Sequence, residues 1–245
     1  MIVFPMAGKG RRFLEENYSL PKWKLPLAGR PMIEWVFLSF KNELEDEEVL
    51  VVFRGSDEDR ESIKSSATKV GIRSLQLVEI FESRGQAESV FLGLGKAGVD
   101  QGEPITIFNI DTLRPGFSLA QVPSDCDGWL ECVETRGSHW SFVEPKFDGS
   151  KLVGRVVEKQ RISKFCCTGI YYFRSRRIFE NAYHREVAAP SSIELFVAPL
   201  YNHIISAGKP VKFEVISHSQ VVFCGTPEDY RAVRKKEDLI SSLFD

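Results

Sequence analysis

No uninterrupted apolar run in this chain reaches the roughly 20 residues that a membrane-spanning helix needs, so a membrane partner is not expected. Cysteine is scarce. Five occur in 245 residues, two of them adjacent at Cys166 and Cys167, without the recurrent spacing of a disulfide framework. There is no Cys-x-x-Cys pair and the four histidines are scattered, which excludes an obvious zinc centre. These thiols read as reduced and mostly buried, and the protein as cytoplasmic. Neither sign of charge dominates: 32 Lys and Arg against 34 Asp and Glu leave a formal charge of −2. That balance argues against a nucleic-acid backbone as partner. No basic segment followed by an apolar stretch and a cleavage site is visible, so a secretory signal is not expected. Linkers, internal repeats and low-complexity tracts are also missing, and the length suits one large α/β unit spanning residues 1–245.

What is present is concentrated at the start. The apolar run of residues 1–6 reads as a short buried strand. It runs into Ala7-Gly8-Lys9-Gly10-Arg11-Arg12, a turn of small residues carrying three cations. Pro21-Lys22 follows, and then Gly29-Arg30-Pro31-Met32-Ile33. A turn without bulky side chains lets backbone N–H groups close on a phosphate, and neighbouring Lys and Arg supply the charge that a triphosphate needs.

Further along, strand-like and helix-like segments alternate. Helical spacing of apolar residues covers 32–40, a buried strand 49–53, a polar surface helix 57–69, a strand 75–80, a helix beginning at 86, and a strand 104–110 ending at Asp111. This βαβαβ rhythm predicts a Rossmann-like α/β fold, with a mixed, mostly parallel sheet and helices on both faces. Ligands in such sheets bind beyond the carboxyl ends of the strands, where the Gly8 loop and Asp111 both fall. From about residue 128 the pattern changes to short strands at 129–134, 141–145, 152–158 and 167–173, a small β-rich extension over the mouth of the sheet. A helix is expected over 193–207, a strand over 211–216, and a last helix capped by Thr226 with Pro227 in its first turn, running towards Leu243. Asp111, just after an apolar strand, can hold a hard divalent cation against phosphate oxygens; an isolated Asp there would otherwise cap the turn before Pro115.

The N-terminal motif resembles the signature of the sugar-1-phosphate nucleotidyltransferases, which condense an NTP with a sugar phosphate and release pyrophosphate. The resemblance covers most of the chain. It implies a nucleotide-binding half, residues 1–125, and an acceptor-binding part, residues 126–245. It also implies a Mg²⁺ ion held by Asp111, Arg12 on the β and γ phosphates, and Lys22 approaching the α-phosphate. Lys24 would stand in for Lys22 only if the turn were shifted. Ala7, Gly8, Gly10 and Arg11 would frame the phosphates, although Arg11 stands where the family usually has Ser or Thr. The turn Gly85-Gln86-Ala87 would border the nucleobase, and it reads equally as a helix N-terminus capped by Ser83. Glu158 and Lys159 would bind the acceptor's hydroxyls and phosphate, with Thr168 and Gly169 in a similar Thr-Gly-Ile-Tyr-x-Phe strand. The partners implied are an NTP and a phosphorylated small molecule, in precursor synthesis for capsule or cell-surface glycans.

The chain departs from the family near its end. A second metal-binding Asp usually stands two residues before the glycine of Gly-Thr-Pro-Glu-Asp; here that position is Phe223, which cannot bind Mg²⁺. Several readings stay open. The first is an NDP-sugar-forming nucleotidyltransferase, and the second a cytidylyltransferase using a non-sugar phosphate. A third is a glycosyltransferase with a similar sheet, although Asn109-Ile110-Asp111 supplies only one carboxylate of an Asp-x-Asp motif. The fourth is a catalytically silent nucleotide-sugar-binding protein.

Overall fold

The first strand, β1 (Ile2–Met6), is buried along its whole length, with Val3 facing one apolar cluster and Ile2, Phe4 and Met6 the other. An apolar run buried on both faces belongs in the middle of a parallel sheet, and β1 sits there. The computed structural model describes residues 1–244. After β1 come α1 (Arg11–Glu15), the two-residue strands β2 (Pro26–Leu27) and β3 (Arg30–Pro31), α2 (Met32–Leu38), β4 (Glu48–Phe53), α3 (Asp57–Lys69), β5 (Ser74–Glu79), α4 (Gln86–Lys96), β6 (Ile105–Phe108) and β7 (Thr112–Leu113). The second half contributes β8 (Gly128–Glu134), β9 (Ser141–Pro145), β10 (Val153–Glu158), β11 (Phe165–Phe173), α5 (Arg176–Ala188), α6 (Leu200–Ser206), β12 (Val211–Ile216), β13 (Val222–Phe223), α7 (Pro227–Arg234) and α8 (Glu237–Phe244).

The main sheet has nine strands. The order β5-β4-β1-β6 is parallel throughout, and β11 joins antiparallel to β6. Along one edge β11 pairs first with β9 through Phe165 and Cys166 and then with β6 from Ile170 to Phe173, while β8 lies along its other edge and carries β12 in parallel. This strand therefore joins the parallel half to the β-rich extension. Helices cover both faces. One face buries Ala87, Val90 and Leu94 of α4 with Phe179 and Tyr201 of α5 and α6; the other buries Trp35, Phe37 and Ile63 of α2 and α3. Phe4, Phe37, Phe40, Phe108 and Phe117 meet edge to face at centroid distances between 4.9 and 6.3 Å, a geometry that suits the ring quadrupoles. All five cysteines are buried and unpaired. Burial pushes the Cys126 thiol up to about 11 and the Cys224 thiol up to about 12, so neither is a nucleophile at neutral pH.

Two expected elements differ, and one helix was not expected. The segment 193–199 is not helical, and α6 begins only at Leu200. Its backbone is used elsewhere, since Leu195 exchanges hydrogen bonds with the 84–87 turn, and Pro199 has no N–H to continue a helix through it. Helix α5 was not expected, although Ile178, Phe179, Ala182 and Tyr183 have helical spacing behind Ser175, whose hydroxyl accepts from the Ile178 N–H. The last helix is capped by Thr226, in a reciprocal box with Asp229, but it breaks after Arg234 into α7 and α8. These two helices pack back on the N-terminal stretch. The Tyr230 hydroxyl donates to the Pro26 carbonyl at 2.6 Å, Phe13, Tyr18 and Tyr230 form a trio of rings, and Phe244 lies 5.2 Å from Trp35.

Candidate active site

Beyond the carboxyl ends of β1 and β6 lies a cavity of about 1,880 Å³. The loop after β1 forms one wall. Gly10 has φ +61°, a conformation that side chains resist, and it turns the chain into α1, whose Phe13 is anchored in the core. A side chain on Gly8 would meet nothing within 4 Å, so the space beside this loop is open to a ligand. Arg11 and Arg12 are exposed and line the cavity.

The Lys22–Lys24 turn is a single turn of 3-10 helix, which sends residues two apart to different sides. Lys22 extends its ammonium to 3.0 Å from Asp111 Oδ2, and Lys24 pairs with Asp59 of α3 at 2.6 Å. The turn is therefore not shifted, and Lys22 is the cation that faces the carboxylate. Asp111 follows the end of β6, and its backbone carbonyl accepts from the Cys224 N–H at 2.7 Å. That bond belongs to the small ladder in which Phe223 of β13 stands opposite Thr112 of β7. Phe223 thus lies beside Asp111 in the chain's pairing, where the resemblance expects a carboxylate. Among the described residues no group of three His, Cys, Asp or Glu gathers to hold a metal.

Opposite the glycine loop, Gly85 is pressed against Leu195: a Cβ there would sit 2.5 Å from the Leu195 carbonyl oxygen. The Leu195 N–H donates to the Arg84 carbonyl at 3.0 Å, and the Ala87 N–H donates to the Leu195 carbonyl at 2.9 Å. Gly85 and Gln86 line the cavity, and the Gln86 side-chain amide donates to Asn109 Oδ1. Ala87 is fully buried and faces the core.

The second half supplies the remaining wall. Glu158 closes β10 and Lys159 follows it, the Lys159 N–H donating to the Trp140 carbonyl at 2.9 Å. Burial pushes the Glu158 carboxyl above its ordinary value; a hydrogen bond from the Ser141 hydroxyl and the charges of Lys159 and Arg12 pull the other way without reversing the shift. Arg12 and Glu158 both line the cavity, so the glycine loop and the end of β10 border the same space. Lys159 stands 3.8 Å from Glu194 and over the ring of Phe196.

Besides Ala87, two further expected residues are not brought to the cavity. Thr168 is buried, and its hydroxyl donates to Glu131 Oε1 at 3.0 Å, so it has no hydroxyl to offer an acceptor. Glu131 in turn holds Arg114, both fully buried, with guanidinium-to-carboxylate distances of 2.8 to 3.0 Å. Gly169 is buried as well, with φ +101°, and its carbonyl accepts from the Asn109 N–H at 3.0 Å; it holds Asn109 rather than a ligand. Trp140 and Phe223, which line the cavity, were not expected as site residues. Their only signal in the sequence was the Phe at a position where the resemblance expects Asp.

No protein-family model and no curated protein matches the chain. Solved structures do. The nucleoside-diphosphate-sugar pyrophosphorylase from Vibrio cholerae RC9 is 37% identical, with a TM-score of 0.91 over 96% of this chain and 100% of that one. The inositol-1-phosphate CTP transferase from T. maritima shares the fold at 16% identity, with a TM-score of 0.78 over 99% and 95% of the two chains. So does a UDP-glucose pyrophosphorylase complexed with UDP-glucose, at 17% identity and a TM-score of 0.72 over 97% and 98%.

Proposed function

Since the chain belongs to the sugar-nucleotidyltransferase family, we propose that it condenses an NTP with a sugar 1-phosphate, giving an NDP-sugar and pyrophosphate. The observation that carries this reading is the Lys22–Asp111 contact. It joins the Lys22–Lys24 turn to the residue beyond β6, on the wall of a cavity that the glycine loop and Glu158 also line. Ligand pockets commonly have volumes of roughly 300–1,000 Å³, so about 1,880 Å³ leaves room for a nucleotide and a sugar phosphate together. Residues 1–125 would take the NTP and residues 126–245 the acceptor.

An acceptor phosphate is already an anion, so its attack on the α-phosphorus needs no covalent enzyme intermediate. The work of the site is positioning and charge stabilisation. Ala7, Gly8, Gly10 and Arg11 would frame the triphosphate, Arg12 would neutralise its leaving end, and Lys22 would face the phosphoryl oxygens that gain charge. Gly85 and Gln86 would border the base, while Glu158 and Lys159 would hold the acceptor. The residues also fit one Mg²⁺. Asp111 is a hard oxygen donor already in contact with a cation, the Lys22 ammonium, and Mg²⁺ commonly binds through one or two carboxylates with phosphates and water completing its shell. When bound it would supply Lewis-acid stabilisation of the phosphate charge. Among the described residues no helix is long and apolar enough to cross a membrane. The proposed setting is cytoplasmic supply of activated sugars for capsule or cell-surface glycans.

The test is pyrophosphate release over four NTPs crossed with sugar 1-phosphates and phosphorylated alcohols. Turnover with a sugar 1-phosphate is expected. A nucleoside diphosphate product would mark a glycosyltransferase instead, and binding without turnover at any Mg²⁺ or Mn²⁺ concentration would mark a silent protein. A pH profile adds a finer check. Glu158 favours its proton below its raised value, and the carboxylate that accepts sugar hydroxyls emerges only as pH rises through it. Acceptor KM is therefore expected to climb as pH falls through that range while NTP KM holds. Glu158→Gln should flatten this dependence with acceptor KM high throughout; a wild-type profile in that variant would remove Glu158 from the acceptor site.

A further inference from the structure

We propose that Trp140 and Phe223 form an aromatic wall on which the acceptor's ring stacks, so that the acceptor is a cyclic sugar phosphate presenting a face of C–H groups. The proposal deepens the nucleotidyltransferase reading and takes from it only that an acceptor binds beside Glu158. The two rings lie 5.5 Å apart at 45° and both line the cavity. Trp140 is half-buried, whereas Trp23, Trp35 and Trp129 are at most 4% exposed. The wall is rigidly backed, because both rings pack on the small apolar cluster of Val133, Phe142, Cys166 and Val221. His139 lies against Trp140 at 3.6 Å between centroids.

Its neighbours define what it faces. Ser141, next to Trp140, holds Glu158, and the Trp140 carbonyl holds the backbone of Lys159. The polar groups and Trp140 thus sit at adjoining ends of β9 and β10, and β13 brings Phe223 against Trp140 to complete the wall. A pyranose has a polar rim of hydroxyls and flat faces of C–H bonds, and it can satisfy both kinds of surface at once. A small acyclic phosphate could satisfy Glu158 and Lys159 but would leave the two half-exposed rings wet, forgoing the hydrophobic gain of covering them. Phe223 in place of a carboxylate then exchanges a charged contact for an apolar one at the acceptor's edge.

Trp140 is its own reporter, as the tryptophan within reach of a polar quencher. Acrylamide quenching of the intact protein is measured with glucose, galactose, mannose or N-acetylglucosamine 1-phosphate, and separately with glycerol 3-phosphate, inorganic phosphate or each NTP. At least one hexose 1-phosphate is expected to shield the quenchable emission, and the other probes to leave it. Trp140→Phe should abolish the quenchable fraction, which assigns the signal. In turnover, Trp140→Leu and Phe223→Leu are expected to raise acceptor KM about tenfold with NTP KM unmoved, and Trp140→Phe to recover most of it. Shielding by no hexose 1-phosphate, or by an NTP alone, overturns the wall. Pyrophosphate release on the same panel separates the two readings: turnover without shielding sinks the wall and keeps the activity, and shielding without turnover does the reverse.

Discussion

Asp111→Asn is expected to abolish nearly all pyrophosphate release while the protein melts close to wild type. The substitution keeps the shape of the side chain and removes its charge. Its side chain is 34% exposed, and its partner Lys22 can turn to water when unpaired, so little folding energy is at stake. Catalysis is different. A carboxylate that holds a cation against developing phosphate charge acts chiefly in the transition state, and losing one such electrostatic contact costs about 10²–10³ in rate, roughly 3–4 kcal/mol. A coupled pyrophosphate assay beside a thermal melt separates the two effects. Wild-type-like turnover in the variant would remove Asp111 from the mechanism.

The largest effect on stability is expected at Glu131, which does not line the cavity. Arg114 and Glu131 are both fully buried, and the Arg114 guanidinium also donates to the Pro115 carbonyl at 2.7 Å. Glu131→Ala strands that guanidinium in the core and is expected to cost about 3–5 kcal/mol. For a protein of this size that corresponds to a fall in Tm of roughly 6–20 °C. The double replacement Arg114→Met with Glu131→Leu removes both charges, and should recover most or all of the loss, since a buried pair often only breaks even against apolar residues of like volume. A single variant that melts like wild type would show that the pair is solvated. The Arg114 N–H donates to Ser39 Oγ at 2.9 Å, which ties the turn after Asp111 to the end of α2.

The glycine loop, Lys22, Asp111 and the alternating first half were legible because each depends on local chemistry: small residues at a tight turn, cations in order, a carboxylate after an apolar run. What escaped was set by partners distant in sequence. Thr168 looked like a ligand contact because nothing nearby reveals that Glu131 and Arg114 lie behind it. The apolar spacing before Pro199 suggested a helix, yet that backbone is claimed by a turn more than a hundred residues earlier. Helix α5 did carry its own signal, a serine cap followed by helical spacing, and a closer count of the pattern would have found it. Trp140 lies at a strand edge where periodicity is silent, and only the packing of Phe223 gives it a purpose.

The bonding of Leu195 to the 84–87 turn has a mechanical consequence. It ties the 84–87 turn to the segment before α6 at one lip of the cleft, through main-chain bonds and a glycine with no clearance. That lip cannot act as the moving jaw. The opposite lip, where Leu14 and Leu20 stand 59% and 44% exposed on the segment that carries Arg11 and Arg12, has no such main-chain tie among the described residues and is the side left free to adjust.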